Sequence, residues 1–89
     1  MPNRESARSM HNAVIAQLNA EITTAGLTPT SLARRMDLNY GSMRKYLKGD
    51  LEMHAYMLWD ILAALEVTPA EFMRSAEALH SRGLVSPKS

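Results

Sequence analysis

The chain has no cysteine, which excludes a disulfide framework, a thiolate nucleophile and zinc sites built on sulfur. That absence is compatible with a reducing compartment, and a cytoplasmic location is expected. Histidine does not fill the gap. His11, His54 and His80 lie far apart in sequence, so solvated or partly packed rings explain them better than ligands, and neither metal nor cofactor is expected. Glycine and proline are scarce, four of each, which removes collagenous and low-complexity classes and favours helices. Long apolar runs are missing as well. Ala55 to Trp59 is stopped by Asp60, far short of the roughly 20 residues a helix needs to span a bilayer, so no membrane partner is expected. At 89 residues a single core suffices, and one small domain over 9–82 is expected, with flexible termini at 1–8 and 83–89.

Charge is nearly balanced at +1, but it is not evenly spread. Between Thr28 and Gly49 stand five cations (Arg34, Arg35, Arg44, Lys45 and Lys48) against one anion, Asp37, a local +4 that leaves −3 for the rest. A split this local points to an anionic partner at one face.

Five helices can be placed from their ends. The first is expected from Ser9 to Ala25, with Val14, Leu18, Ile22 and Ala25 as its apolar stripe and Gly26 as its left-handed terminator. The second opens at "LTPTSL", where Thr28 caps and Pro29 fits the first turn because it lacks an N–H. The third opens at "LNYGSM" with Asn39 as cap. The fourth runs from His54 to Leu65 with Met57, Leu58, Ile61, Leu62 and Leu65 inward and Tyr56 and Trp59 as anchors at the core edge. The fifth opens at "VTPAEF", where Thr68 and Glu71 are expected to form a capping box. Leu27 and Leu32, Leu38 and Met43, and Val67 and Phe72 repeat one spacing, that of a hydrophobic staple across a helix start.

The second and third helices are short and separated by about two residues around Asp37 and Leu38, which is the spacing of a helix-turn-helix. A generic tight corner in a five-helix bundle is the plainer alternative. Ala33 supplies the small side chain needed where two helices cross, with Met43 and Tyr46 closing the wedge. On a wheel of about 100° per residue with Met43 at zero, Tyr46 and Leu47 fall inward, while Arg44, Lys48, Gly41 and Lys45 fall near 100°, 140°, 160° and 200°. Gly41 costs about 1 kcal/mol relative to alanine inside a helix, and among three cations it lets the backbone approach another surface. Duplex DNA suits such a face: its major groove admits a helix, and Arg and Lys read guanine O6 and N7.

From Val14 to Met73, on "GLTPTSLARRM", "DLNYGSMRKYLKG" and "ILAALEVTPAEFM", the chain resembles the lambda-repressor and Cro-like helix-turn-helix family. The resemblance covers about two thirds of the chain. It implies an all-α, compact five-helix DNA-binding domain, commonly a dimeric transcriptional regulator of phages, prophages and bacteria. On it, Tyr40, Gly41, Arg44 and Lys45 match positions that face bases, and Thr28, Asn39 and Lys48 match positions nearer phosphates. Asp37 and Glu66 stand where the family commonly has glycine, and aspartate visits the left-handed region more readily than most residues. Pro29 replaces a polar residue, often glutamine, that touches phosphate. Tyr40 and Gly41 replace polar base readers, so the family's target sequences do not carry over.

The expected function is therefore sequence-specific binding of double-stranded DNA by a regulator, a repressor in the family's manner, with no small-molecule substrate. A protein-interaction module, such as an antitoxin or adaptor using the same face, is the alternative. An enzyme is disfavoured, because Glu52, Asp60 and Glu71 are dispersed with no nucleophile or metal beside them. One reading helix covers only a few base pairs, so a homodimer on half-sites about 34 Å apart is expected. Phe72, Met73, Ala76 and Leu79 are the expected dimer surface, and Arg4 and Arg8 the cations of an N-terminal arm.

Overall fold

The computed structural model describes the backbone of residues 4–82 and the side chains of 5–82, and all regular structure there is helical: α1 (Arg4–Thr24), α2 (Pro29–Arg35), α3 (Tyr40–Lys48), α4 (Ala55–Leu65) and α5 (Pro69–Ser81). Three corners share one device. Gly26-Leu27-Thr28, Asp37-Leu38-Asn39 and Glu66-Val67-Thr68 each place a left-handed residue, then an apolar residue, then the cap of the next helix.

At each corner two backbone bonds close the preceding helix. The left-handed residues donate to the carbonyls of Thr23, Arg34 and Ala63 at 2.9, 3.2 and 3.1 Å, and the apolar residues donate to Ile22, Ala33 and Leu62 at 3.0, 2.8 and 3.0 Å. These are the paired bonds of a Schellman ending, which satisfy carbonyls that a helix end leaves orphaned. The cap side chains then open the next helix: Thr28 Oγ1 accepts from Ser31 N–H at 3.1 Å, Asn39 Oδ1 from Ser42 N–H at 3.0 Å, and Thr68 Oγ1 from Glu71 N–H at 3.2 Å, where the Glu71 carboxylate does not return the bond expected of a capping box. Leu27, Leu38 and Val67 pack on the core, where their staple partners Leu32, Met43 and Phe72 are completely buried.

The core joins Leu18 and Ile22 of α1, Leu32 and Ala33 of α2, Met43 and Leu47 of α3, Ile61, Leu62 and Leu65 of α4, and Phe72 and Ala76 of α5. Truncating a fully buried residue of this set, such as Leu32 to Ala, costs roughly 2–5 kcal/mol. The most extensive helix contacts are those of α1 with α5, α2 with α3, and α1 with α3.

Several expectations need correction. Helix α1 begins at Arg4 rather than Ser9, because neither Pro nor Gly interrupts the intervening residues and Glu5 sits in the first turn, where a carboxylate suits the positive end of the helix dipole. Arg8 therefore belongs to α1, not to an arm; residues 1–3 and 83–89 of the expected tails lie outside the described residues. Ala25 falls past the helix end and is exposed, so the stripe of α1 is Val14, Leu18 and Ile22, with Ala13 and Ile15 also buried. Phe72 and Ala76 are fully buried, because α5 turns this side to the core, so they cannot form a free dimer surface; Met73 and Leu79 are half-buried. Tyr56 and Trp59 are 69% and 44% exposed rather than anchored. The side of α4 facing the core is filled by Ile61, Leu62 and Leu65, with Met57 and Leu58 packed beside them, and both rings project from the opposite side.

Candidate nucleic-acid interface

The site begins at the corner between α2 and α3. Ala33, almost fully buried, lies among the core residues of the two helices, and its carbonyl holds Leu38 in place at 2.8 Å. Asp37 supplies the reversal with φ of 56°, in the left-handed region that aspartate visits more readily than most residues. Pro29 occupies the first turn of α2, and Thr28 and Ser31 complete a reciprocal capping box there, Ser31 Oγ accepting from Thr28 N–H at 2.8 Å. Thr28 and Asn39, expected on the phosphate side, are both exposed, and their side-chain oxygens are already engaged as caps.

Along α3 the two faces separate cleanly. Met43 and Leu47 are buried and Tyr46 is half-buried, while Tyr40, Gly41, Ser42, Arg44, Lys45 and Lys48 are exposed. The structure thus gathers Tyr40, Gly41, Arg44, Lys45 and Lys48 on one accessible side of a single helix. Gly41 stands in the first turn and not in the helix interior. A Cβ there would meet Asn39 Oδ1 at 3.0 Å, so the missing side chain already has a structural use: it leaves room for the cap.

Among the described residues none of Arg34, Arg35, Arg44, Lys45 and Lys48 is paired with a carboxylate. Some of this charge is ordinary helix electrostatics. Arg34 and Arg35 end α2, and Lys45 and Lys48 end α3, where cations offset the negative end of the dipole by about 0.3–1 kcal/mol each. Arg44 lies outside the last turn and has no such role.

One contribution escaped sequence reasoning. Asn19 of α1 donates through its amide to the carbonyl of Leu47 in the last turn of α3, at 3.0 Å. In the sequence Asn19 is simply a polar residue beside the stripe, with nothing to distinguish it. Arg8, His11 and Asn12 of α1 also line an open groove of about 700 Å³ with Gly49, Glu52 and Met53, which brings Arg8 beside the segment that follows α3.

Among the described residues no three His, Asp or Glu side chains gather to hold a metal ion. Glu52, Asp60 and Glu71 are exposed and lie on three different segments. No helix of the described residues is long and apolar enough to cross a membrane. No family model, curated protein or solved structure matches the chain.

Proposed function

We propose that the chain is a sequence-specific double-stranded DNA-binding regulator of the helix-turn-helix kind, in which α2 braces α3 and α3 enters the major groove. The observation that carries this reading is the exposed face of α3 with its cations, unpaired among the described residues, centred on Arg44 and set opposite the buried Met43 and Leu47. A major groove about 12 Å wide accepts a helix of about that diameter. In this role Arg44 and Lys45 meet base edges, Tyr40 and Gly41 lie against the bases at the start of the helix, and Lys48 reaches phosphate. Thr28 and Asn39 flank the backbone, contributing by position since their oxygens cap α2 and α3. Arg8 adds a cation on a rigid helix rather than on a tail. Two copies on adjacent half-sites repress by occluding promoter DNA in the cytoplasm, with no chemical step of their own.

A second reading keeps the same face but gives it to a protein, as in an antitoxin or adaptor. Tyr40 favours it, because a tyrosine 45% exposed beside an arginine is the composition of a protein hot spot. Selection of bound duplexes from a randomised pool separates the two readings. Enrichment of a defined, two-fold related motif supports DNA recognition, whereas retention of no duplex even at low salt rejects it and leaves the protein partner.

A further inference from the structure

Tyr40 opens α3 and Arg44 follows one turn later, about 40° away around the helix, so the two share one stripe of the exposed face. Nothing in the fold uses either end. Among the described residues neither side chain has a hydrogen bond, an ion pair or a ring contact, and the Tyr40 ring is no part of the core, staying 45% exposed. Side chains on a helix lean toward its N-terminus. The Cα–Cβ bond of Arg44 therefore points back toward Tyr40, over the turn in which Gly41 has no side chain to stand in the way.

We propose, on the reading of α3 as a major-groove helix, that Tyr40 and Arg44 together recognise a two-base step: a pyrimidine carrying a C5 methyl, followed on the same strand by guanine. A guanidinium bonded to guanine O6 and N7 lies in the plane of that base, which leaves its flat face uncovered. The C5 methyl of the preceding pyrimidine projects into the major groove over that face. The Tyr40 ring closes the other side of the methyl, an apolar wall where a polar side chain would need a donor or acceptor to meet. Uracil has the polar edge of thymine without the methyl, and cytosine that of 5-methylcytosine, so each leaves a gap between ring and guanidinium.

The spacing agrees with adjacent bases. Four residues rise about 6 Å along the helix, and successive bases of one strand about 3.4 Å. The backward lean of Arg44 shortens the first distance toward the second. Asn39 does not compete for the same base, since its side-chain oxygen is held by Ser42 N–H at 3.0 Å.

The test uses the full chain and a duplex selected from a randomised pool. The selected motif is expected to contain thymine followed by guanine. Replacing that thymine by uracil removes one methyl and no hydrogen-bonding group, and it is expected to weaken binding about fourfold, the worth of one buried methyl. At the same position 5-methylcytosine is expected to bind about fourfold more tightly than cytosine, which separates the methyl from the rest of thymine. Tyr40→Ala is expected to bring both ratios below about twofold while the preference for the guanine persists, and Tyr40→Phe to keep both ratios. Helical circular dichroism is expected to be unchanged in the two variants, since the ring lies outside the core. A selected motif without a methylated pyrimidine before guanine overturns the proposal. Uracil equal to thymine, 5-methylcytosine equal to cytosine, or ratios that survive Tyr40→Ala overturn it equally. In each of these outcomes a duplex is still bound, so the DNA reading stands. Retention of no duplex rejects both.

Discussion

The side-chain amide of Asn19 donates to the carbonyl of Leu47 at 3.0 Å and to that of Ile15 at 2.9 Å, so one residue of α1 holds the last turn of α3. Leu47 is among the last four residues of α3, whose carbonyls have no partner inside the helix. The bond thus satisfies an orphan acceptor and fixes the helix that carries the cationic face. Asn19→Ala is expected to lose about 1 kcal/mol of stability. Asn19→Asp is expected to lose more, because a carboxylate has no N–H to give and would face two carbonyl oxygens. Urea denaturation of the three proteins measures both differences; an alanine variant as stable as the parent shows that the bond contributes nothing.

The helix ends offer a test of opposite sign. Glu66 holds φ of 61° and Gly49 holds 83°. The left-handed conformation costs a residue with a Cβ roughly 1–2 kcal/mol. Glu66→Gly is expected to stabilise by up to about 1 kcal/mol, a rise of roughly 4–8 °C in melting temperature for a domain of this size. Gly49→Ala is expected to destabilise by about 1 kcal/mol, although nothing lies within 4 Å of the added Cβ, because the cost is in the backbone. Thermal melts that move both variants in the same direction would contradict this assignment.

Gly41 and Asn39 are coupled through the cap. In the parent, the alanine methyl of Gly41→Ala meets Asn39 Oδ1 at 3.0 Å, and the gain in helix propensity of up to about 1 kcal/mol is offset by the strained cap. Against Asn39→Gly the same substitution is expected to stabilise by about 0.5–1 kcal/mol, since the clash is gone. A double-mutant cycle with no interaction energy would mean that the glycine serves only what lies outside the fold.

The corners were legible because their signals are local. A left-handed residue, an apolar residue and a capping residue lie adjacent in the chain, and the staple pairs Leu27 and Leu32, Leu38 and Met43, and Val67 and Phe72 are only five positions apart. The outward set on α3 was legible for a similar reason, since the period of a helix separates Met43 from Arg44 without tertiary information. The fate of the other faces was not legible. Phe72 and Ala76 on α5, and Tyr56 and Trp59 on α4, present apolar faces of similar appearance, and only tertiary packing decides that the first pair joins the core while the second is left out. Asn19 depends on a partner 28 residues away, and a backbone carbonyl leaves no trace in the sequence.

The central claim is that the exposed face of α3 reads DNA, and the most direct test compares Arg44→Ala with Lys48→Ala on a selected duplex over a series of salt concentrations. Both side chains are exposed; Arg44→Ala is expected to melt as the parent does and Lys48→Ala a few degrees lower through the lost dipole interaction, both staying folded at the assay temperature, which is checked first. Arg44→Ala should cost roughly 1–3 kcal/mol and relax preference at one base position, because a lost base-edge contact is lost discrimination. Lys48→Ala should weaken all sequences alike and lower the slope of log affinity against log salt by about one unit, because one phosphate contact and its released counterion are gone. If both variants keep the parent's affinity, base preference and salt slope, α3 does not read DNA and the account is wrong at its centre.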